Sequence, residues 1–414
     1  NEVYPEALLS VNYQLSSAMF CKIDNMEITD EMIANVKARM QEIINQNLEI
    51  RKVVMTKEEA EEFYSNEKTL RGIVQIDNTQ KEGVSLYYCE DYFNYFFGVM
   101  PVTTAYTDVF DVIKYGDGFL VRYPSAEKPN ELTNYKGNKK LLSTLEEYED
   151  IHRVLQIDTL YKLNKEIKEG RTSNVILLSE ALHEKKMANI ADDIAKRKNV
   201  KMVLIAGPSS SGKTTFAKRL GVELRLNGLK PVTISVDNYF VERVDNPKDE
   251  NGDYDFECLE AIDLELFNNH IKTLLDGGTI DVPTFDFKVG TKRYNGEKMH
   301  LADDEILVIE GIHCLNDKLT SSIPREQKYK IYISDLTVLN IDYCNRISTT
   351  DTRLIRRIVR DNNFRGYSAL HTLRTWASVN RGENKNIFPY QENCDVMFNS
   401  SLIYELSVLK KQAL

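Results

Sequence analysis

The residues from Gly207 to Thr215, Gly-Pro-Ser-Ser-Ser-Gly-Lys-Thr-Thr, have the types and spacing of a loop that holds phosphate. They match Gly-x-x-x-x-Gly-Lys-Thr, with a short apolar run (Met202 to Ile205) before them and a helix-like run (Phe216 to Leu220) after. The pattern gains its meaning from that strand–loop–helix context. Two glycines let the backbone fold back so that the N–H groups of Ser209, Ser210, Ser211 and Gly212 turn inward. The helix that opens at Lys213 and Thr215 adds the positive end of its dipole. Lys213 is placed to reach the outer phosphates of a nucleotide, and the Thr214 hydroxyl to hold Mg²⁺.

Further candidates follow in chain order. Asp237 ends the apolar run Ile234-Ser235-Val236, where a carboxylate beside a phosphate loop can take the proton of an attacking hydroxyl. Glu310 ends a second apolar run, Ile306 to Ile309, and is placed to hold Mg²⁺ directly or through water. Arg353, Arg356, Arg357 and Arg360 recur at three- and four-residue spacing, with Arg365 beyond them. On a helix the four share a face, and guanidinium groups stabilise a phosphoryl group in transfer. Aromatic residues alternate with acids in Tyr254-Asp255-Phe256-Glu257 and Pro283-Thr284-Phe285-Asp286-Phe287, a weaker signal that suits a polar substrate with an apolar face.

These groups need a scaffold of buried strands. Candidate strands are 201–205, 232–236, 306–309 and 330–333, short apolar runs of the kind found in parallel sheets covered on both faces. The N-terminal part reads as α+β, with a helix over 31–47 and strands over 84–88 and 118–123. A helix over 176–195 ends in the basic turn Lys196-Arg197-Lys198, which puts the expected domain boundary at 195/196. The aromatic stretch from Tyr87 to Phe97 reads as core or interface. A base-stacking platform would need cations where Glu90 and Asp91 stand.

A chain of 414 residues has room for two or three cores. Its formal net charge of −10 argues against a general nucleic-acid or anionic-membrane binder. No stretch is long and apolar enough to cross a bilayer, and no basic-then-apolar segment opens the chain. The six cysteines are scattered, with no Cys-x-x-Cys pair, and read as free thiols in a reducing compartment. The expectation is a cytoplasmic protein with a small-molecule hydroxyl substrate, no nucleic-acid or membrane partner, and room for a homo-oligomer.

With these residues in order, the stretch from about 200 to 400 resembles the uridine kinase and phosphoribulokinase family of P-loop kinases. The resemblance implies an α/β fold, a P-loop kinase with a mostly parallel sheet flanked by helices, over 196–414. It implies ATP and Mg²⁺ as cofactors, Asp237 as catalytic base, and Thr214 and Glu310 as metal residues. Glu257 and Arg357 would contact substrate hydroxyls. Arg360 and Arg365, with Lys213, would act on the ATP phosphates. Tyr239, Phe256, Phe285 and Phe287 would line the substrate site.

The pyrimidine kinases of that family carry a base-reading histidine where this chain has Gly290, and Tyr367 stands where a further lid arginine is usual. A nucleoside is the first candidate acceptor. A baseless polyol or sugar such as myo-inositol is the alternative, and a regulatory protein that binds nucleotide without turnover comes after both. Residues 1–195 resemble the α+β accessory domain that threonyl-tRNA synthetases carry and that some bacterial uridine-kinase-like fusions share. No histidine precedes His152, so the metal-dependent chemistry of that domain is not expected here.

Overall fold

The computed structural model describes residues 2–413 apart from 66–71, 73–75, 77–82, 126–127, 134–136, 249–251, 253, 288 and 338. The chain forms two compact units. The first comprises 1–138, 146–173 and 337–348; the second comprises 139–145, 174–336 and 349–414.

In the first unit, β1 (Leu9–Gln14), β2 (Ala18–Ile23), β6 (Asp111–Tyr115) and β7 (Gly118–Arg122) make an antiparallel sheet in the order β1-β2-β7-β6. A second antiparallel sheet contains β3 (Arg51–Thr56), β4 (Gly83–Cys89) and β5 (Tyr92–Tyr95). Helix α1 (Asp30–Gln46) starts where the Thr29 side chain accepts the Met32 N–H and stops at Asn47 in the left-handed region, φ 52°. Its Ile33 joins Cys21, Ile28, Val112 and Phe119 in one core. Helix α2 (Lys57–Ser65) puts Ala60 and Tyr64 against Val84, Leu86 and Tyr95 in another. The aromatic stretch is thus divided. Tyr95 is buried and Phe93 packs on that core, while Tyr92, Phe96 and Phe97 are exposed. Helix α3 (Lys139–Leu155), of which 146–155 belong to this unit, and α4 (Leu160–Lys168) follow.

The second unit contains α5 (Thr172–Lys196) from Asn174 onward, and its framework is a five-stranded, wholly parallel sheet. Its strands are β8 (Met202–Ala206), β9 (Lys230–Ser235), β12 (Glu305–Glu310), β13 (Lys328–Ser334) and β14 (Val396–Asn399), in the order β14-β13-β8-β12-β9. All four candidate strands are present within a residue or two of their expected ends. Alternate residues serve opposite faces of the sheet. Val203 and Ile205, with Ile306 and Val308, pack under Met187, Ile190, Ala191 and Ile194 of α5 and under Phe216, Leu220 and Leu224 of α6 (Lys213–Leu226). Helix α5 therefore belongs to the same core as the phosphate loop, and the compact units divide near 174 rather than at 195/196. The rest of the unit is α7 (Leu264–Leu275), the antiparallel pair β10 (Thr279–Asp286) and β11 (Thr291–His300), and helices α8 (Thr349–Arg360), α9 (Ala369–Asn386) and α10 (Glu405–Ala413). Helix α8 continues into one π-helical turn, Asp361–Arg365, closed by Gly366 at φ 72°.

Among the described residues no helix is long and apolar enough to cross a membrane, and all six cysteines are free thiols.

Candidate active site

The parallel sheet gathers the site at the C-terminal ends of its strands, where loops from β8, β9 and β12 meet. β8 leads straight into the phosphate loop. A Cβ at Gly207 would collide with the carbonyl oxygen of Ile333 on β13, so only glycine lets the loop leave at that angle. Gly212 sits at φ 90° and Ser210 at φ 61°, and these two left-handed residues fold the loop around its amides. Lys213 Nζ lies inside the turn, donating to the carbonyls of Gly207 (3.0 Å) and Pro208 (3.2 Å). The hydroxyls of Ser210 and Ser211 are buried without a hydrogen-bond partner among the described residues. The N–H groups of Ser209 and Ser211 are taken by Glu383 Oε1 (2.7 Å) and the Pro208 carbonyl (3.2 Å), which corrects the expectation that all four loop amides face phosphate. The orphaned hydroxyls and a lysine at a helix N-terminus still fit a phosphate chain. Thr215 is exposed in the first turn of α6.

Glu310, the last residue of β12, is buried. One of its oxygens accepts from Thr214 Oγ1 (3.1 Å) and from Ser235 Oγ at the end of β9 (3.0 Å). Burial raises its pKa, the nearby Asp237 carboxylate raises it further, and Lys213 lowers it. Asp237 lies in a short turn after β9, half-buried, with no hydrogen-bond or ion-pair partner among the described residues. A buried carboxylate, a half-buried one and an exposed hydroxyl collected together suit a hard divalent cation with oxygen ligands, so these side chains fit Mg²⁺.

Glu257 faces the same space. Burial pushes its pKa up from 4.5 to about 7, and the carboxylates of Glu383 and Asp237 add to the rise while Arg357 and Lys213 oppose it. One of its oxygens is buried without a hydrogen-bond partner among the described residues.

The arginine helix divides the tasks that its spacing assigns to one face. Arg353 is wholly buried in an ion pair with Glu383 at 2.7 Å. Arg356 is held by Glu405, by Asp335 (3.3 Å) and by Ser400 Oγ (3.0 Å). The expectation that these two clamp phosphoryl oxygens is therefore corrected, because acids elsewhere in the unit already hold them. Arg353 and Arg356 reach only loop carbonyls, those of Ser209 (3.2 Å) and Ser210 (3.4 Å), while Arg357 donates from Nη1 to Ser209 Oγ at 2.8 Å. Arg357, Arg360 and Arg365 gather on one buried carboxylate, Asp361, at 3.3, 2.8 and 3.9 Å. Three guanidinium groups on one acid leave a local excess of positive charge, which suits a polyanion.

The aromatic candidates also separate. Phe240, Phe256, Phe285 and Phe287 form one cluster, with Phe240 5.5–6.1 Å from each of the other three rings. Phe256 and Phe287 are partly exposed, and Phe285 is buried behind them. Arg365 lies over the Phe287 ring at 5.8 Å. Tyr239, expected to line the substrate site, is instead fully buried, edge-on to Phe267, with its hydroxyl 3.1 Å from His270 Nδ1. Residues Val236–Tyr239 form one 3₁₀ turn rather than a strand end, so residues two apart do not share a face, and the turn sends the tyrosine into the core. Gly290 has φ 82°, and a Cβ built there would meet the Arg243 side chain at 2.6–2.9 Å. Arg243 fills that space and donates to the Phe287 carbonyl at 2.6 Å.

Reasoning from sequence missed Ser235, Phe240, Asp361 and Glu383. Asp361 had a signal, since it stands four residues from both Arg357 and Arg365. Glu383 had none, because its loop partner is 174 positions away.

The model of the phosphoribulokinase / uridine kinase family matches residues 202–404. A uridine kinase from Ligilactobacillus salivarius is 30% identical over 187 residues, 45% of this chain and 78% of that protein. A uridine kinase from Bacillus subtilis is 27% identical over 201 residues, 48% of this chain and 86% of that protein. The solved structure of a possible uridine kinase from Bacillus stearothermophilus aligns over 52% of this chain and 100% of that one, with 19% identity and a TM-score of 0.31.

Proposed function

This chain belongs to the phosphoribulokinase / uridine kinase family, and on that premise we propose that it is an ATP- and Mg²⁺-dependent kinase acting on a hydroxyl of a small molecule, a nucleoside first. The observation that carries the reading is the pair at adjacent strand ends. Glu310 is fixed between Thr214 and Ser235, and Asp237 stands unpartnered beside it.

The amides of Ser210 and Gly212, with Lys213, bind the phosphate chain, and Arg360 and Arg365 lie on its outer oxygens. Glu257 and Arg357 orient the acceptor, whose apolar part rests on Phe256 and Phe287. Asp237 receives the hydroxyl proton as the acceptor oxygen bonds to the γ-phosphorus and the bridge to the β-phosphate breaks. Thr214 Oγ1 and Glu310 would hold Mg²⁺, which supplies positive charge against the phosphate oxygens when bound.

A second reading has a specific observation in its favour. Arg243 occupies the space over Gly290 that a base-reading side chain would need, which favours a baseless polyol or sugar such as myo-inositol. ATP consumption with Mg²⁺ against uridine, cytidine, ribose and myo-inositol separates the readings. Turnover with a pyrimidine nucleoside supports the first, and turnover with a polyol or sugar alone supports the second. ATP binding with no turnover on a broad acceptor panel would sink both and leave a nucleotide-binding regulator.

For the first unit we propose a structural or substrate-shaping role.

A further inference from the structure

Helix α9 carries Gly382 in its interior, where glycine is disfavoured against alanine. A Cβ at that position would collide with the Cβ and Cγ of Glu257. The glycine lets the helix backbone lie directly on the Glu257 side chain. That close approach carries the next residue, Glu383, to the first turn of the phosphate loop.

Glu383 is fully buried. Its Oε1 accepts from the Ser209 N–H at 2.7 Å and from Arg353 Nη1 at 2.7 Å. The same guanidinium nitrogen donates to the Ser209 carbonyl oxygen at 3.2 Å. One buried ion pair thus holds both the N–H and the C=O of Ser209. Arg357 completes the grip by donating to Ser209 Oγ. Trp376 of α9 lies beside both arginines, its ring 5.5 Å from the Arg353 guanidinium and 5.9 Å from that of Arg357.

Two charges this deep lose their hydration, and a buried pair often does no better for stability than apolar side chains of the same volume. This pair is also imperfectly satisfied, since Glu383 Oε2 and Arg353 Nε have no hydrogen-bond partner among the described residues. What its geometry does serve is the loop: every polar group of Ser209 ends on α8 or α9.

We infer that Glu383 and Arg353 are positioning residues that set the first turn of the phosphate loop, so that its amides are aimed before the nucleotide arrives. Neither acts on ATP itself; both act through Ser209. The inference rests on the kinase reading and extends it to a part of the fold where sequence offers no signal. Donors fixed in advance hold developing charge without reorganising, so loosening this turn weakens both nucleotide binding and transfer.

Trp376 is the only tryptophan in the chain, so its fluorescence reports on this pair directly. The experiment titrates Mg-ATP into the full chain by Trp376 fluorescence, without acceptor. It also measures the separate KM values for ATP and for the acceptor found active. Wild type, Glu383→Ala, Glu383→Gln and Arg353→Lys are compared per folded molecule, the folded fraction being set by urea denaturation. Glu383→Ala is expected to raise the ATP Kd and KM at least tenfold while the acceptor KM stays within twofold. Glu383→Gln, which keeps an acceptor for the Ser209 N–H, falls in between. Should the alanine variant not fold, the glutamine and lysine variants carry the test with an expected loss of at least threefold in ATP affinity. Unchanged ATP affinity and kcat per folded molecule in those variants would overturn the inference and leave the pair a stability element. Failure of the wild-type chain to bind Mg-ATP would instead overturn the kinase reading itself.

Discussion

Glu257→Gln should make the protein more stable and less able to use its acceptor. In the fold the Glu257 carboxyl titrates near about 7 against an ordinary 4.5, because burial and two neighbouring carboxylates disfavour its charge. A raised carboxylate pKa means that stability is fully present below 4.5 and is lost as pH rises through about 7. Each pH unit between the two values is worth about 1.4 kcal/mol, so ionising Glu257 in the fold costs on the order of 3 kcal/mol. Solvent reaches part of the side chain, which brings the expected effect to about 2 kcal/mol. Glutamine has nearly the same shape and no charge. At pH 8 the variant should therefore unfold at higher urea than wild type by the equivalent of about 2 kcal/mol, narrowing to less than about 1 kcal/mol at pH 5. Trp376 fluorescence follows the unit concerned. Equal stability of the two proteins at pH 8, or a gap that does not change between pH 5 and pH 8, would refute the reasoning.

Other expectations follow from the same geometry. For wild type, kcat/KM for the acceptor should rise with pH through about 7, as Glu257 ionises and can accept a substrate hydroxyl; in the glutamine variant that step should vanish. Arg365→Ala should lower kcat by about 10²–10³ with little change in stability, since Arg365 is a partly exposed group on the site. Arg356→Ala should instead destabilise by about 3–5 kcal/mol, because it leaves Asp335 and Glu405 without their cation, and denaturant melts distinguish the two. Gly207→Ala should cost about 1–3 kcal/mol and weaken ATP binding at least tenfold, as its Cβ forces the loop away from Ile333.

The phosphate loop and four of the five parallel strands were legible in the sequence for a physical reason. Strands covered on both faces read as unbroken apolar runs, and Gly207 and Gly212 punctuate the loop. β14 escaped because only four residues at the sheet edge form it. The β10–β11 pair escaped because Pro283 lies inside it and most of β11 faces solvent, so neither strand shows a clean alternation. Helical spacing correctly predicts that Arg353, Arg356, Arg357 and Arg360 neighbour one another, yet it cannot say which acids meet them. Glu383, Asp335 and Glu405 reach that helix only through tertiary packing. The amphipathic stripe identified α5, and its buried face joins the core of the phosphate loop, so the compact units divide earlier than 195/196. Residues 337–348 belong to the first unit, where the Tyr343 carbonyl accepts the Val11 N–H at 2.8 Å.

The central claim is that Asp237 takes the proton of a hydroxyl acceptor while the loop holds ATP. Transfer of γ-labelled phosphate from ATP into an organic product, measured for wild type and Asp237→Asn at equal folded fraction, tests it most directly. The account predicts a phosphorylated small molecule from wild type, a loss of about 10²–10⁴ in kcat for the variant, and ATP affinity within threefold of wild type. Undiminished transfer by Asp237→Asn would contradict it.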